Sequence, residues 1–165
     1  QGLGQGAQPI ISYNYGAKNV GRVKKAFWLL LKVSLSYAVL LWAFIMIFPQ
    51  GFAGMFTSDP ELLVFTKTAL RIYTACLFLF GIQMACQMTF TSLGKAGSSI
   101  IVAVMRKFIL LIPLIYIMPA ILRENKAVAV YMAEPIADFL AVTFTAILFF
   151  FQFRKCLRQI EQKTF

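Results

Sequence analysis

One stretch decides the fold class: residues Ala26–Phe48 read AFWLLLKVSLSYAVLLWAFIMIF, with Lys32 as their only charge. A helix that crosses a bilayer needs about 20 mostly apolar residues, and this stretch supplies them. The whole chain of 165 residues is 60% hydrophobic and 13% charged, whereas soluble domains average about 45–50% apolar and about 25% charged residues. The composition argues against a soluble enzyme, a disordered chain or a secreted disulfide scaffold. It predicts an integral membrane protein.

Further apolar stretches predict an all-α bundle of about five transmembrane helices. The predicted spans are 2–17, 26–48, 62–93, 99–122 and 127–153, followed by a tail over 154–165. The first of them is short and more polar, which indicates a partial span, and because the first residue is Gln we expect the sequence to begin inside a larger protein. Pro113, Pro119 and Pro135 each remove a backbone donor from a predicted span and are expected to bend it.

Basic residues gather in alternate connectors. Residues 18–25 carry four Lys or Arg and no acid, and the tail carries four against Glu161, whereas residues 49–61 carry Asp59 and Glu61 and no base. Because basic connectors stay on the cytoplasmic side, this alternation predicts a multi-pass protein of the cell membrane with a cytoplasmic C-terminus. The net charge of +10 follows mostly from topology, and no nucleic-acid partner is expected.

Polar and aromatic side chains recur at helical spacing on three predicted spans. The stripes are Gln1, Gln5, Gln8, Ser12 and Tyr15; Tyr73, Cys76, Phe80, Gln83, Gln87 and Thr91; and Tyr131, Glu134, Asp138, Ala141 and Thr145. Polar groups at membrane depth usually face a bundle interior or a wet cavity. The residues expected to line a substrate cavity are Gln8, Ser12, Gln83, Met84, Gln87 and Tyr131. Alternatively, the polar groups among them only hydrogen-bond between helices.

Two carboxylates lie one helical turn apart in the last predicted span. Asp138 is about halfway along it, where an ionised Asp costs about 2.5–3.5 kcal/mol, and Glu134 shares its face. Two acids this close repel each other when both are ionised, which favours a pair that takes up a proton or a cation. The structural alternative is that one caps broken backbone near Pro135 while the other pairs with Arg71 or Lys67.

No side-chain arrangement typical of an enzyme is present. There is no His, and the sequence contains no GxxxxGK[ST] phosphate loop, CxxC pair or GxSxG motif. The spacing of Cys76, Cys86 and Cys156 favours thiols over disulfides or a zinc site. We therefore expect no catalytic site, no metal site and no cofactor.

Three stretches resemble the multidrug and toxic-compound extrusion (MATE) transporters, particularly their MepA-like bacterial branch. They are GQGAQPIISYNYGAKNVGRVKKA from Gly4, LRIYTACLFLFGIQMACQMTFTSLGKA from Leu70 and AEPIADFLA from Ala133. Their order implies the C-terminal lobe of a twelve-helix transporter. The resemblance implies antiport of lipophilic or cationic drugs against protons or sodium ions, by alternating access between this lobe and an N-terminal lobe.

The resemblance also implies roles for individual residues. The helix-8 motif of the family is matched by Gln8, Pro9, Ser12, Tyr13, Asn14 and Gly16, so that Asn14 joins the residues expected to line the cavity. The helix-12 pattern is matched by Glu134, Pro135 and Asp138, whose two acids are the candidates for ion coupling. Glu134→Gln and Asp138→Asn are expected to abolish export while membrane abundance stays intact. Some members carry a coupling acid in helix 10, but residues 73–93 contain none.

Rival functions remain open. A flippase of lipid-linked saccharides would present Arg and Lys to an anionic diphosphate. The charges near the middle of the last predicted span, Glu134 and Asp138, are instead acidic. A non-transporting membrane scaffold would bury the three stripes in helix contacts with no cavity between them. An intramembrane enzyme would use the same two acids, and no other feature of the sequence supports one.

Overall fold

The computed structural model describes residues 2–55, 57, 59–122 and 126–162, and within these every regular element is helical. The α-helices are α1 (Gly2–Gly16), α2 (Val20–Ile47), α3 (Pro49–Gly54), α4 (Pro60–Tyr73), α5 (Phe80–Ser92), α6 (Ala96–Val104), α7 (Ile112–Ile121) and α8 (Lys126–Gln162). A 3₁₀ turn, Leu77–Leu79, precedes α5, and a π-helix, Met105–Leu111, joins α6 to α7. The predicted all-α fold is confirmed. Gln1, the Glu161 side chain and residues 163–165 lie outside the described part.

Three helical stretches are long and apolar enough to cross a membrane: Val20–Ile47, Ala96–Ile121 and Lys126–Ile160. A fourth arises if α4 and the stretch Leu77–Ser92 are counted as one span, although they bend by 41° where they meet. The sequence predicts one long span over 62–93, which Lys67 and Arg71 divide into an amphipathic entry and an apolar run, and the structure places the break at residues 74–76. By contrast, α8 continues through Pro135 without a break.

The break between α4 and α5 contains no proline, and two side chains hydrogen-bond to carbonyls at it. The hydroxyl of Thr74 donates to the carbonyl of Leu70 at 2.8 Å, at the residue where α4 ends. The indole N–H of Trp42 on α2 donates to the carbonyl of Ala75 at 3.1 Å. This bond satisfies a carbonyl within the break, where an unpaired backbone group in a membrane costs several kcal/mol.

Two apolar clusters hold the bundle together. The larger one joins α1, α2, α5, α6 and α8, with the stacked rings of Phe27 and Phe149 at its centre. The smaller one joins α7 to α8. At Gly81, α5 comes so close to α2 that an added Cβ would lie 2.7 Å from the carbonyl oxygen of Ser34. Small residues allow this kind of close approach between membrane helices.

Candidate functional site

A buried ion cluster joins the π-helix to α8. The Nε and Nη2 atoms of Arg106 both lie 2.7 Å from Oδ1 of Asp138, and Nη2 lies 3.3 Å from Oε1 of Glu134. The Arg106 side chain is 16% exposed, and those of Glu134 and Asp138 are 11% and 12% exposed. Lys107 is farther away, with Nζ 3.9 Å from Glu134 Oε1 and its side chain 55% exposed.

The backbone explains why these side chains meet. Glu134 and Asp138 are four residues apart on α8, so they lie one above the other on the same face. Arg106 lies on the π-helix that packs against α8. π-Bulges are rare and frequently occur at functional sites. The acidic face predicted from the sequence is therefore present, and a cation from another span faces it.

The partner of the acids differs from the one weighed in the sequence. Arg71 donates from Nη2 to the carbonyl of Met46 at 3.2 Å, close to the C-terminal end of α2, so pairing of the acids with Arg71 is wrong. No described ion pair involves Lys67. The sequence did contain a signal for the correct partner. Arg106 lies inside an apolar span and therefore needs a counter-charge, and the acids within the predicted spans are Glu134 and Asp138.

Charge balance within the cluster is uneven. One guanidinium serves two carboxylates, and the nearer of them is Asp138. Glu134 depends on a 3.3 Å contact with Arg106 and on the half-exposed Lys107 at 3.9 Å. Removing one member of a buried ion pair typically costs about 3–5 kcal/mol, because the remaining charge loses its partner. The charge of Arg106 therefore depends on both acids for its compensation.

An aromatic ring connects this cluster to a cavity. Cζ of Arg106 lies 5.2 Å from the centre of the Phe80 ring, within the range of a cation–π interaction. Phe80 also lines a cavity of about 340 Å³ between α1, α2 and the start of α5. Its other walls include Leu30, Tyr37, Leu41 and Met84. A mostly apolar space of this volume falls in the range of small-molecule sites.

Two of the residues predicted to line a cavity, Gln83 and Met84, are neighbours on α5. Met84 lines the cavity itself. Gln83 is 3% exposed, and its Oε1 accepts no hydrogen bond from the described residues. A buried amide oxygen without a donor is costly. The role of both residues in binding a substrate stays a prediction.

Of the seven predicted lining residues, all except Met84 are absent from the lining of this cavity. Ser12 donates to the carbonyl of Ser92 at 2.9 Å, which joins α1 to α5, and Nδ2 of Asn14 donates to the carbonyl of Ile10 at 2.8 Å. The ring of Tyr131 meets that of Phe65 edge-on, with 6.1 Å between their centres. Gln8 and Gln87 are half-buried. Ser12 thus makes the interhelical bond that the alternative reading of the stripes describes.

The described residues contain no group of three His, Cys, Asp or Glu side chains that could hold a metal ion. All three thiols are free, with Cys86 and Cys156 buried and Cys76 half-buried. The side chains described above provide ionic, cation–π and apolar groups that a ligand could contact.

Comparison with known proteins gives consistent matches. The family model described as MatE matches residues 1–117. A FAD transporter of Shewanella oneidensis is 27% identical over 112 residues, which are 68% of this chain and 25% of that protein. The structure of the MATE multidrug transporter DinF-BH in complex with R6G is similar with a TM-score of 0.83 at 34% identity, over 90% of this chain and 33% of that one.

A more distant structure agrees in fold alone. An inward-facing multidrug resistance MATE family transporter of the MOP superfamily is similar with a TM-score of 0.78 at 21% identity, over 94% of this chain and 35% of that chain. The chain thus spans about a quarter of the curated relative and about a third of the solved structures.

Proposed function

This chain belongs to the MatE family of membrane transporters, and on that premise we propose that it is the C-terminal lobe of an antiporter that exports lipophilic cations in exchange for protons or sodium ions. One observation carries the proposal. Phe80 lines the 340 Å³ cavity and also contacts the guanidinium of Arg106. The ring joins a space of ligand size to a buried cluster that can bind protons or cations.

The cavity favours an apolar cation as cargo. Its walls of Leu, Met and aromatic residues bind a hydrophobic body, and an aromatic face attracts a positive charge. The solved relative at 34% identity carries R6G and is described as a multidrug transporter, which supports this class of cargo. The proposal also includes five predicted lining residues outside this cavity, which would complete the binding site when the lobes move: Gln8, Ser12, Asn14, Gln87 and Tyr131.

Coupling follows from the uneven charge balance. Glu134 has the looser contacts of the two acids, so we assign it as the acid at which the coupling ion displaces Arg106. When Asp138 is neutralised as well, the charge of Arg106 is no longer compensated. With about 10 Å between that charge and a cation bound across the Phe80 ring, repulsion at an effective dielectric constant of about 20 is about 1–2 kcal/mol. Affinity for the cation falls about tenfold, and the cargo is released.

The remaining parts of the proposal come from the resemblance and from topology. The partners are an N-terminal lobe of the same transporter, the lipid bilayer and lipophilic or cationic drugs. The location is the cell membrane with a cytoplasmic C-terminus, and the transporter uses no cofactor apart from its coupling ion. The protein is not an enzyme.

Export by the reconstituted full-length transporter tests this function. Vesicles loaded with tetraphenylphosphonium are placed in a proton or a sodium gradient, and efflux is followed with an ion-selective electrode. We expect Glu134→Gln to reduce gradient-driven efflux at least tenfold, because it removes the acid with the looser contacts. The exposed Glu61 gives the matched control, so Glu61→Gln should export normally. Unchanged efflux in Glu134→Gln would contradict the coupling role.

A second candidate, export of an anionic dinucleotide, is favoured by one observation. Arg106 lies among the mid-span charges, so the argument that these charges are purely acidic, and therefore unsuited to an anionic cargo, is wrong. The curated relative at 27% identity is described as a FAD transporter. However, Arg106 is held by two acids, which leaves it less able to bind a phosphate. Gradient-driven efflux of FAD in the same vesicles, without efflux of tetraphenylphosphonium, would establish this candidate instead.

A further inference from the structure

A groove of about 540 Å³ opens between α2, α5 and α8, away from the ion cluster. Its rim and walls include Lys24, Trp28, Leu31, Ile82, Arg154 and Arg158. The three cations come from the start of α2 and the end of α8, which is the end of the bundle that the connector charges predict to be cytoplasmic. We call this feature the basic groove.

The rim of the basic groove is strongly positive. Its lining contains Lys24, Arg154 and Arg158 and no acidic residue. In the described part of the chain the ion pairs involve Arg106 and Lys107, and none engages these three cations. Cζ of Arg154 lies 4.0 Å from the centre of the Phe150 ring. A guanidinium held in place on a ring can present two parallel donors to a phosphate.

The groove becomes apolar with depth. Leu31 follows Lys24 by seven residues on α2, a rise of about 10 Å, and Ala146 precedes Arg158 by twelve residues on α8, a rise of about 18 Å. Ile82 of α5 contributes to the wall between them. One leaflet of the hydrocarbon core is about 15 Å deep. The groove therefore extends from a cationic rim over the thickness of one leaflet.

We propose that the basic groove binds an anionic phospholipid, with the phosphate between Lys24, Arg154 and Arg158 and an acyl chain along Leu31 and Ile82. Charge complementarity selects this occupant, because a neutral lipid or an apolar helix would supply no counter-charge to three cations that no ion pair among the described residues engages. Basic pockets between membrane helices on the cytoplasmic side are suited to anionic head groups. The positive-inside rule by itself accounts for basic residues in cytoplasmic connectors. Here, in addition, the three cations flank a groove with space for an acyl chain. The inference is independent of the cargo and of the ion coupling.

Quenching of Trp28 fluorescence gives a direct test, because its indole lines the groove and is 57% exposed. The full-length transporter is placed in phosphatidylcholine vesicles with rising fractions of phosphatidylglycerol brominated in its acyl chains. The Trp28 signal is the difference between the wild type and Trp28→Phe. We expect saturable quenching that brominated phosphatidylcholine does not reproduce. Each cation near an anionic lipid is worth about fivefold in affinity, so Lys24→Gln with Arg158→Gln should shift the midpoint about 30-fold.

The matched control is Arg22→Gln with Lys95→Gln, which removes two exposed cations outside the groove from the same end of the bundle. It should shift the midpoint less than threefold. Equal shifts in the two double variants would show general surface attraction and overturn the proposal. Equal quenching by the two brominated lipids would overturn it as well. Reversal by millimolar inorganic phosphate would identify a phosphate site and also contradict a lipid occupant.

Discussion

Replacing Asp138 by Asn removes the carboxylate that holds Arg106 most closely. Two guanidinium nitrogens lie 2.7 Å from Oδ1 of Asp138, which is 8% exposed. Breaking a buried ion pair costs about 3–5 kcal/mol. Because Glu134 stays 3.3 Å from Arg106 and compensates part of its charge, we expect the lower end of this range, about 3 kcal/mol. The sequence alone predicts that Asp138→Asn is as abundant in the membrane as the wild type. From the structure we expect it to be less stable and therefore less abundant.

Thermal unfolding of the full-length transporter in detergent, followed by size-exclusion chromatography of heated samples, measures this loss. A transporter about three times as long as this chain has an unfolding entropy of about 1 kcal/mol/K, so a loss of about 3 kcal/mol in Asp138→Asn should lower Tm by about 3 °C. Glu134→Gln keeps the 2.7 Å contact and should lower Tm by less than half as much. The control Glu61→Gln, at an exposed position, should shift it by about 0.5 °C or less. Identical Tm values for Asp138→Asn and Glu61→Gln would refute the reasoning.

Two further substitutions test the packing of α5 and the role of Phe80. Gly81→Ala places a Cβ 2.7 Å from the Ser34 carbonyl oxygen and should destabilise the protein by about 1–3 kcal/mol in the same assay. Gly97→Ala meets nothing within 4 Å and is its control, so equal losses would contradict the close approach. Phe80→Leu should weaken tetraphenylphosphonium binding about fivefold, measured by equilibrium dialysis, because a cation–π contact is worth about 1 kcal/mol. Phe108→Leu removes an exposed ring outside the cavity and should leave binding unchanged, and equal affinities in the two variants would exclude Phe80 from the site.

Helices and the acidic face were predictable because they depend on local patterns. Apolar runs define α2 and α8 by length, and the four-residue spacing of Glu134 and Asp138 requires a shared face wherever that segment is helical. Capping chemistry was local as well. Oδ1 of Asp59 accepts a hydrogen bond from the backbone N–H of Glu61 at 3.0 Å, and α4 begins at Pro60.

The break in the third predicted span and the partner of the acids were not predictable in this way. At the break, the carbonyl of Ala75 accepts its side-chain hydrogen bond from Trp42, which is 33 residues away in sequence. Arg106 is 28 residues before Glu134, and it lies on a π-helix, where side chains leave the 3.6-residue pattern on which a helical stripe is judged. Such contacts depend on how the helices pack, which a single pattern along the chain does not encode. Charge matching between spans was the usable signal, because a buried Arg requires an acid at its depth.

In the proposed mechanism, the charge of Arg106 is coupled through Phe80 to cation binding in the cavity. The most direct measurement compares tetraphenylphosphonium affinity at acidic and alkaline pH, with and without sodium, in the wild type and in a neutral variant that combines Arg106→Gln, Glu134→Gln and Asp138→Asn. Neutralising all three together avoids leaving one buried charge unpaired. Acid or sodium should weaken binding about tenfold more in the wild type than in the neutral variant, by the repulsion estimated above. The same dependence in both proteins would contradict this coupling.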